Sequence, residues 1–406
     1  MEKRRVVITG IGVISAVGRN TSEFWQSLCE GRSGIRPIEA VDRTQLHFKN
    51  GAEVRGLNMQ SYFKGKRADL LDRFAQFGLI AAREAVADAG IEWTQHLRER
   101  TGIVTGSCVG GQTSEDQAFV ELYRNHRHRL HPLSIPRIMA NAVASHMTLE
   151  FGITGPAYTM STACSSANHA IGHAFWMVSH GLTEMALTGG SEAPFSMGHL
   201  KAWEAMRVIS SDTCRPFSKN RSGMILGEGA AMMVMESLEA ALARGANIYG
   251  EIVGFGMSSN ADHITKPSSQ GAARAMREAL TSGNLQPEQV GYINAHGTGT
   301  LASDAAEVSA IRSVFGKHAE RLAVSSTKSM HGHALGAAGA IEAAATILGL
   351  HYGVLPPTAN FIEPDPQCNL DVIPNEARRA EIEYALSNSF SFGGLNAVLA
   401  FNRWSS

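Results

Sequence analysis

Cysteine is too sparse to staple this chain. Five occur in 406 residues, Cys29, Cys108, Cys164, Cys214 and Cys368, an odd number at wide spacings with no Cys-x-x-Cys. They suggest no disulfide framework and no zinc or other metal site, and a reducing, cytoplasmic setting is the expectation. Net charge is equally lacking. The 36 Lys+Arg and 37 Asp+Glu leave −1, which gives no case for nucleic acid or a membrane surface and leaves any electrostatic partner to a local patch. Long apolar runs are missing too. No stretch reaches the roughly 18 residues of a spanning helix, and the start offers only five apolar residues before glycines interrupt, which is no signal peptide. No linker, charge block or low-complexity run divides the chain.

What is present is a well-stocked core, with 44% hydrophobic and 18% charged residues. Residues 5–12 (RVVITGIG) read as a buried strand entering a glycine turn, followed by a helix capped by Thr21. Residues 70–90 place apolar side chains at helical spacing and stop at Gly90 as a C-terminal cap. A strand at 102–106, an amphipathic stretch to about 129 and an alanine-rich helix around 140–149 come next. From Tyr158 the pattern is strand (YTMST), Cys164, a small-residue helix to about 180, and a short strand (MALTGG). The second half gives a strand at 248–256, a helix near 271–283, strand 290–295, a helix from about Asp304, strand 322–326, helix 338–350 and a terminal strand pair (385–391, 397–402). Strands alternating with helices predict an α/β architecture, and the strand–Gly/Ser–helix rhythm of both halves hints at a duplicated core.

The chemistry-bearing features are four turns. Thr162-Ala163-Cys164-Ser165-Ser166-Ala167 puts a thiol at the start of a helix, where unpaired N–H groups and the positive dipole end favour thiolate and lower its pKa. The same N–H groups can hold a carbonyl oxygen that becomes negative during attack. A lone cysteine is more often a small buried core residue, so the other turns decide. Asn294-Ala295-His296-Gly297-Thr298-Gly299-Thr300, Ser325-Ser326-Thr327-Lys328-Ser329-Met330-His331-Gly332-His333 and Asn388-Ser389-Phe390-Ser391-Phe392-Gly393-Gly394 each follow a strand. A histidine in a turn is usually a structural hydrogen bonder, but strand ends in α/β chains are where ligands collect.

With TACSS, NAHGTGT, SSTKSMHGH and LGAAGAIE in this order, from VVITGIGVIS to NSFSFGG, the chain resembles the elongating β-ketoacyl–acyl carrier protein synthases, closest to the type II condensing enzymes. LKAWEAMRV…DTCRPFS and the closing NAVLAF also resemble the nodulation-associated branch. The resemblance implies a thiolase-like fold, a duplicated five-layer αβαβα arrangement, as a homodimer. It implies an N-terminal half over 1–247 holding the nucleophile and acyl-pocket and dimer insertions, and a C-terminal half over 248–406 with a gate loop at 388–396. Cys164 would be the acyl-carrying nucleophile, His296 and His333 would complete a Cys-His-His set, and Lys328 would accompany them. Phe392 would stand at the gate, its N–H joining that of Cys164 as the oxyanion hole. Asp304, Glu307 and Glu342 would support the site.

The implied activity is a β-ketoacyl synthase of the acyltransferase class. It moves an acyl group from acyl carrier protein to Cys164 and condenses it with decarboxylated malonyl-carrier, adding two carbons in fatty acid biosynthesis. The enolate oxygen needs donors, which His296 and His333 could supply as neutral Nε2–H tautomers that sequence cannot show. His333, not His331, matches the family position; His331 replaces a small hydroxyl residue and is read as incidental. Lys328 is as readily structural as chemical. Ser391 stands where glycine is usual and Leu395 where threonine is usual, so gate flexibility is expected to differ.

By position, Val109, Ser134, Ala163, His199 and Trp203 would line the acyl pocket, Ser134 from across a dimer in place of a large aromatic. Thr298, Thr300 and Thr265 would hydrogen-bond the phosphopantetheine arm of the carrier protein, and Lys64, Lys66, Arg67 and Arg207 would receive the acidic carrier. No enzyme-bound cofactor is expected. A structural monovalent cation near Glu342, Ser387 and Asn388 is compatible with the resemblance, though no spacing demands it. Gly10-Ile11-Gly12 lacks the third glycine of a dinucleotide site (Ser15 sits there). Thiolases and chain-initiating synthases use Cys-His-Cys or Cys-His-Asn sets, against which SSTKSMHGH argues. A polyketide ketosynthase stays open as an alternative, while a non-catalytic chain-length factor fits poorly with Cys164, His296 and His333 all retained.

Overall fold

The computed structural model describes residues 3–65 and 67–405. Ten strands form one sheet: β1 (Val6–Ser15), β2 (Thr101–Gly106), β3 (Ala157–Met160), β4 (Met185–Glu192), β5 (Gly229–Ser237), β6 (Gly250–Ser259), β7 (Val290–Asn294), β8 (Ala323–Ser325), β9 (Tyr384–Phe390) and β10 (Leu395–Arg403). Their spatial order is β8-β7-β9-β10-β6-β1-β5-β4-β2-β3. The first five and the last five repeat one topology. In each set the second, third and fourth strands of the chain run parallel, and the fifth and first follow antiparallel. The two sets meet where Val6–Ile8 of β1 pair with Gly250–Ile252 of β6, a seam that the Arg5–Glu251 ion pair also crosses.

Nine helices position the site: α1 (Thr21–Cys29), α2 (Arg73–Asp88), α3 (Gln112–Phe119), α4 (Ala142–Phe151), α5 (Ser166–Ser179), α6 (Met197–Ala205), α7 (Ser269–Ser282), α8 (Leu301–Phe315) and α9 (Ala338–Tyr352). α2 and α4 cover the outer face of the first strand set, and α7 and α8 that of the second. Between the sets lie α5 and α9, each packed on strands of both. This is the expected duplicated αβαβα layering. Composition explains the middle layer: α5 (SANHAIGHAFWMVS) and α9 (AGAIEAAATILGLHY) are small and apolar around most of their circumference and almost wholly buried, the signature of a helix with no solvent face.

Several local expectations shift. Asn20, not Thr21, caps α1, its side chain accepting from the Glu23 N–H. α2 ends at Asp88 with Ala89 as cap, and Gly90 takes the left-handed turn beyond it. α8 begins at Leu301, three residues before Asp304. β5 and α6 have no counterpart in the sequence reading. β5 (GAAMMVMES) is buried at every position, so it lacks the alternation that marks a half-exposed strand.

Candidate active site

All four turns converge on one floor. Cys164 follows β3 through a tight turn in which Ala163 holds φ 52°, the left-handed region that costs a residue with a Cβ about 1–3 kcal/mol. The turn is fixed by Thr162 N–H to Ser166 Oγ (2.9 Å) and Ser166 Oγ to the Ala163 carbonyl (2.6 Å), and it places Cys164 at the N-terminal approach to α5. Gly106, at the end of β2, lets the backbone pass here, since a Cβ would lie 2.5 Å from Ala167 N. The backbone N–H groups of Phe392 and of Cys164 itself favour the charged form of the sulfur.

Burial nevertheless pushes the Cys164 thiol up to about 11, against the downward pull of the Lys328 charge and those two N–H groups. The expected lowered pKa is thus corrected: Cys164 is only 6% exposed, and desolvation of a thiolate outweighs the helix end.

His296 and His333 face one another with ring centroids 5.4 Å apart and planes at 86°. Burial, then the Lys328 charge, hold both well below the ordinary histidine range, so both are neutral. Their tautomers follow from their neighbours. The Leu335 N–H donates to His333 Nδ1 (3.2 Å), which leaves the ring proton on Nε2. His333 is itself clamped in a bridge to residues 225–227, its N–H on the Ile225 carbonyl at 2.7 Å and its carbonyl accepting from Gly227 N–H at 2.9 Å. On His296 the Lys328 ammonium stands 3.4 Å from Nδ1, again making that nitrogen the acceptor and Nε2 the donor.

Lys328 is fully buried and ion-paired with Glu342. Burial pushes the Glu342 carboxyl up to about 7 against that lysine. Apart from the ion pair, the Glu342 oxygens have no partner among the described residues, nor do Ser387 Oγ and Asn388 Oδ1 nearby on β9.

The other expected acids hold turns. Glu307 accepts from the N–H groups of His296 and Gly297 (2.8 Å each) and from Asn388 Nδ2 (3.0 Å). Asp304 accepts from Gly299 N–H (3.1 Å) and Phe217 N–H (2.9 Å) beside the buried Arg221. His331 is spent structurally: Nδ1–H donates to the Gly332 carbonyl and Nε2 accepts from the Thr327 hydroxyl, both at 2.9 Å.

Above this floor opens a cleft of about 290 Å³. Cys164, His296, His333 and Phe392 lie at its base, with Trp203, Thr298, Thr300, Thr265, Arg207 and Lys266 along its walls and rim. The hydroxyls of Thr298 and Thr300 are 3.0 Å apart. Trp203 stacks on the Phe392 ring (centroids 6.1 Å, planes at 26°) and donates Nε1–H to His199 Nε2 (2.8 Å).

Not all expected residues reach this cleft. His199 sits behind Trp203, Ala163 in the turn before Cys164, and Val109 on a loop whose N–H groups turn toward Glu192. Ser134 lines a separate surface groove with Arg127, Arg129 and Arg137, its hydroxyl on the His131 carbonyl (2.7 Å). Arg67 is paired with Glu150 rather than free for a carrier, Lys64 is exposed, and Lys66 lies outside the described residues.

Two features escaped the sequence reading. Buried Glu192, at the end of β4, accepts from Cys108 N–H (2.6 Å), Gly336 N–H (3.1 Å) and the Ser107 hydroxyl (3.1 Å), binding the pocket-side loop of one half to the His333 turn of the other. Lys266 adds a cation at the rim. Neither lies in a pattern that spacing could flag.

Comparison with known proteins agrees with this geometry. The β-ketoacyl synthase N-terminal domain matches residues 3–241 and its C-terminal domain residues 249–362. The chain is 44% identical to nodulation protein E of Rhizobium sp. (strain N33), over 98% of this chain and 99% of that protein. It is 40% identical to 3-oxoacyl-[acyl-carrier-protein] synthase 2 of Staphylococcus aureus (strain COL), over 99% of each. Among solved structures, the ishigamide ketosynthase/chain length factor superposes with a TM-score of 0.94 at 37% identity, over 99% of this chain and 100% of that one.

Proposed function

Since the chain belongs to the β-ketoacyl synthase family, as a condensing enzyme of the acyltransferase class, we propose that Cys164, His296 and His333 divide its reaction into an attack and a decarboxylation. The observation behind this reading is a buried thiol under two N–H donors, with two neutral imidazoles opposite, each presenting Nε2–H.

In the first step the Cys164 sulfur bonds to the acyl carbon of a carrier thioester. The carrier thiol leaves with the cysteine's proton, and the N–H groups of Cys164 and Phe392 hold the carbonyl oxygen as it gains charge. The helix end and the Lys328 charge stabilise the thiolate as attack proceeds. In the second, malonyl thioester loses CO2. The electron pair of the broken C–C bond becomes an enolate whose oxygen accepts from His296 and His333, and whose carbon attacks the acyl-cysteine, expelling the Cys164 thiolate. Donors so placed are worth about 3–4 kcal/mol each. Lys328 acts through His296, by occupying Nδ1.

The substrates ride on acyl carrier protein in this reading. Arg207 and Lys266 at the rim would meet an acidic carrier and its phosphate, and Thr265, Thr298 and Thr300 the pantetheine. Association as a homodimer is supported by the unpaired outer edge of β3 and by exposed Phe119, Tyr123, Ile135 and Leu149 on the same half. There Ser134 would reach a partner's pocket. The halves 1–247 and 248–406 are taken as the two functional units. A cytoplasmic site suits five unpaired cysteines, and among the described residues no helix is long and apolar enough to cross a membrane. Beyond the pair with Lys328, the remaining oxygen lone pairs of Glu342, with those of Ser387 and Asn388, fit a monovalent cation. These residues would hold it, and its charge would offset that of the buried carboxylate.

Fatty-acid elongation is the primary assignment. The similarity to a nodulation protein and to the ishigamide ketosynthase/chain length factor favours a specialised acyl product, of the polyketide-ketosynthase kind, as the second reading; product analysis over a range of acyl primers separates them. The catalytic assignment is tested by mass spectrometry after incubation with acyl-carrier substrate. Wild type gains an acyl adduct that Cys164→Ala loses, and an adduct persisting in the variant would end the assignment.

A further inference from the structure

The turn between β9 and β10 bears the Phe392 N–H; besides its own backbone bonds, Ser391 N–H to the Leu395 carbonyl (3.3 Å) and Gly394 N–H to the Ser391 carbonyl (3.0 Å), it is held in three ways. The Phe392 ring lies against Trp203. The Gly393 N–H donates to the Ile264 carbonyl across the cleft rim (2.7 Å). The third hold is a pair of hydroxyls on one carbonyl: Ser391 Oγ lies 2.7 Å and Ser165 Oγ 2.8 Å from the Leu395 oxygen. Ser165 has one proton and shares it with the Thr162 carbonyl, also at 2.8 Å. Ser391 Oγ has Leu395 as its one carbonyl acceptor, so its proton is committed there. Ser165 is the residue after Cys164, so this carbonyl joins the nucleophile turn directly to the turn that supplies the second N–H.

Ser391 itself is extended, at φ −112° and ψ 160°. Its Cβ therefore imposes no strain, and any L residue could stand there. The side chain's distinctive contribution is the hydroxyl.

We propose that Ser391 is a positioning residue for acyl transfer: its hydroxyl, acting with Ser165 on the Leu395 carbonyl, latches the Ser391–Leu395 turn so that the Phe392 N–H stays on the Cys164 sulfur. The latch rests on the reading of that N–H as a donor to the developing oxyanion. The Ser391 hydroxyl is committed to the Leu395 carbonyl at the cleft wall and makes no bond to the thiol. Its loss frees the turn to sample conformations with the N–H withdrawn, which lowers the rate of attack without weakening substrate binding.

The shape-matched pair Ser391→Thr and Ser391→Val tests this, because both β-branched side chains suit the extended backbone and only threonine keeps the hydroxyl. Ser391→Ala serves as a smaller control, and melting temperatures identify any variant that fails to fold. Rapid-quench mass spectrometry measures acylation of Cys164 at saturating and limiting acyl-carrier substrate. Ser391→Val and Ser391→Ala should acylate about five- to tenfold more slowly at saturation, the effect of one lost hydrogen bond, with the half-saturating concentration unchanged, while Ser391→Thr stays within about twofold of wild type. Wild-type rates in Ser391→Val and Ser391→Ala, or a threonine variant as slow as valine, would overturn the latch. If those rates are unchanged while Cys164→Ala still abolishes the adduct, the latch alone falls; if the adduct survives Cys164→Ala, the latch falls together with the reading beneath it.

Discussion

Replacing Lys328 by methionine separates two roles that the lysine combines. In the folded protein Lys328 neutralises Glu342 and places an ammonium 3.4 Å from His296 Nδ1, with both side chains of the ion pair fully buried. Lys328→Met leaves a buried carboxylate alone, and breaking such a pair costs about 3–5 kcal/mol. It also removes the group that keeps Nδ1 of His296 an acceptor, so the ring is free to adopt the tautomer that cannot donate from Nε2. Losing one oxyanion donor costs about 10²–10³ in rate. The double variant Lys328→Met/Glu342→Leu tells these effects apart, because exchanging a whole buried pair for apolar side chains is commonly neutral or stabilising. Thermal melting should fall sharply in the single variant and recover in the double. CO2 release from malonyl-carrier should fall by about 10²-fold or more in both. A double variant that regained stability and decarboxylated within about threefold of wild type would refute the tautomer argument and reduce Lys328 to charge balance.

Burial holds His331 down at about 3, below the 6.5 of an exposed imidazole. It is thus neutral when folded and takes a proton only on unfolding, so its contribution is present above pH 6.5 and lost as pH falls toward 3. Chemical denaturation should show the stability advantage of wild type over His331→Ser shrinking by about 2 kcal/mol between pH 7 and pH 5; a gap independent of pH would refute this. Arg207→Glu at the cleft rim should raise KM for acyl-carrier substrate, with little change in kcat, at low salt. The difference should narrow as ionic strength rises, and a salt-independent effect would point away from electrostatic docking.

The parts of the candidate site legible in the sequence are unusual residues in turns of small side chains: Cys164, His296, Lys328, His333 and Phe392, which the fold brings together. The parts it concealed depend on three-dimensional distance. Cys164 sits at a helix start, a local feature that predicts a lowered pKa, but its burial comes from both halves of the chain and reverses the sign. Arg67 reads as a free cation until Glu150, far along the chain, is seen against it. Glu192 ends a strand as an ordinary carboxylate, and only the folded chain shows it accepting backbone donors from both halves. β5 leaves no trace in the sequence pattern because a strand buried on both faces has no period to detect. The departure at Ser391 is visible in the sequence, but its backbone is extended, where a Cβ costs nothing, and only the folded chain shows its hydroxyl on the Leu395 carbonyl.

In the proposed reaction the two imidazoles share one job under different kinds of inheritance. On His333 the proton is assigned by the main-chain N–H of Leu335, which every residue except proline would provide. On His296 it is assigned by a single side chain, Lys328, which no other residue type would replace in reach and charge. One donor therefore draws on a group that does not depend on the side chain at its supporting position, and the other is a narrow mutational target. Descendants of this chain that lose decarboxylation while keeping acyl transfer should carry their damage on the His296 side.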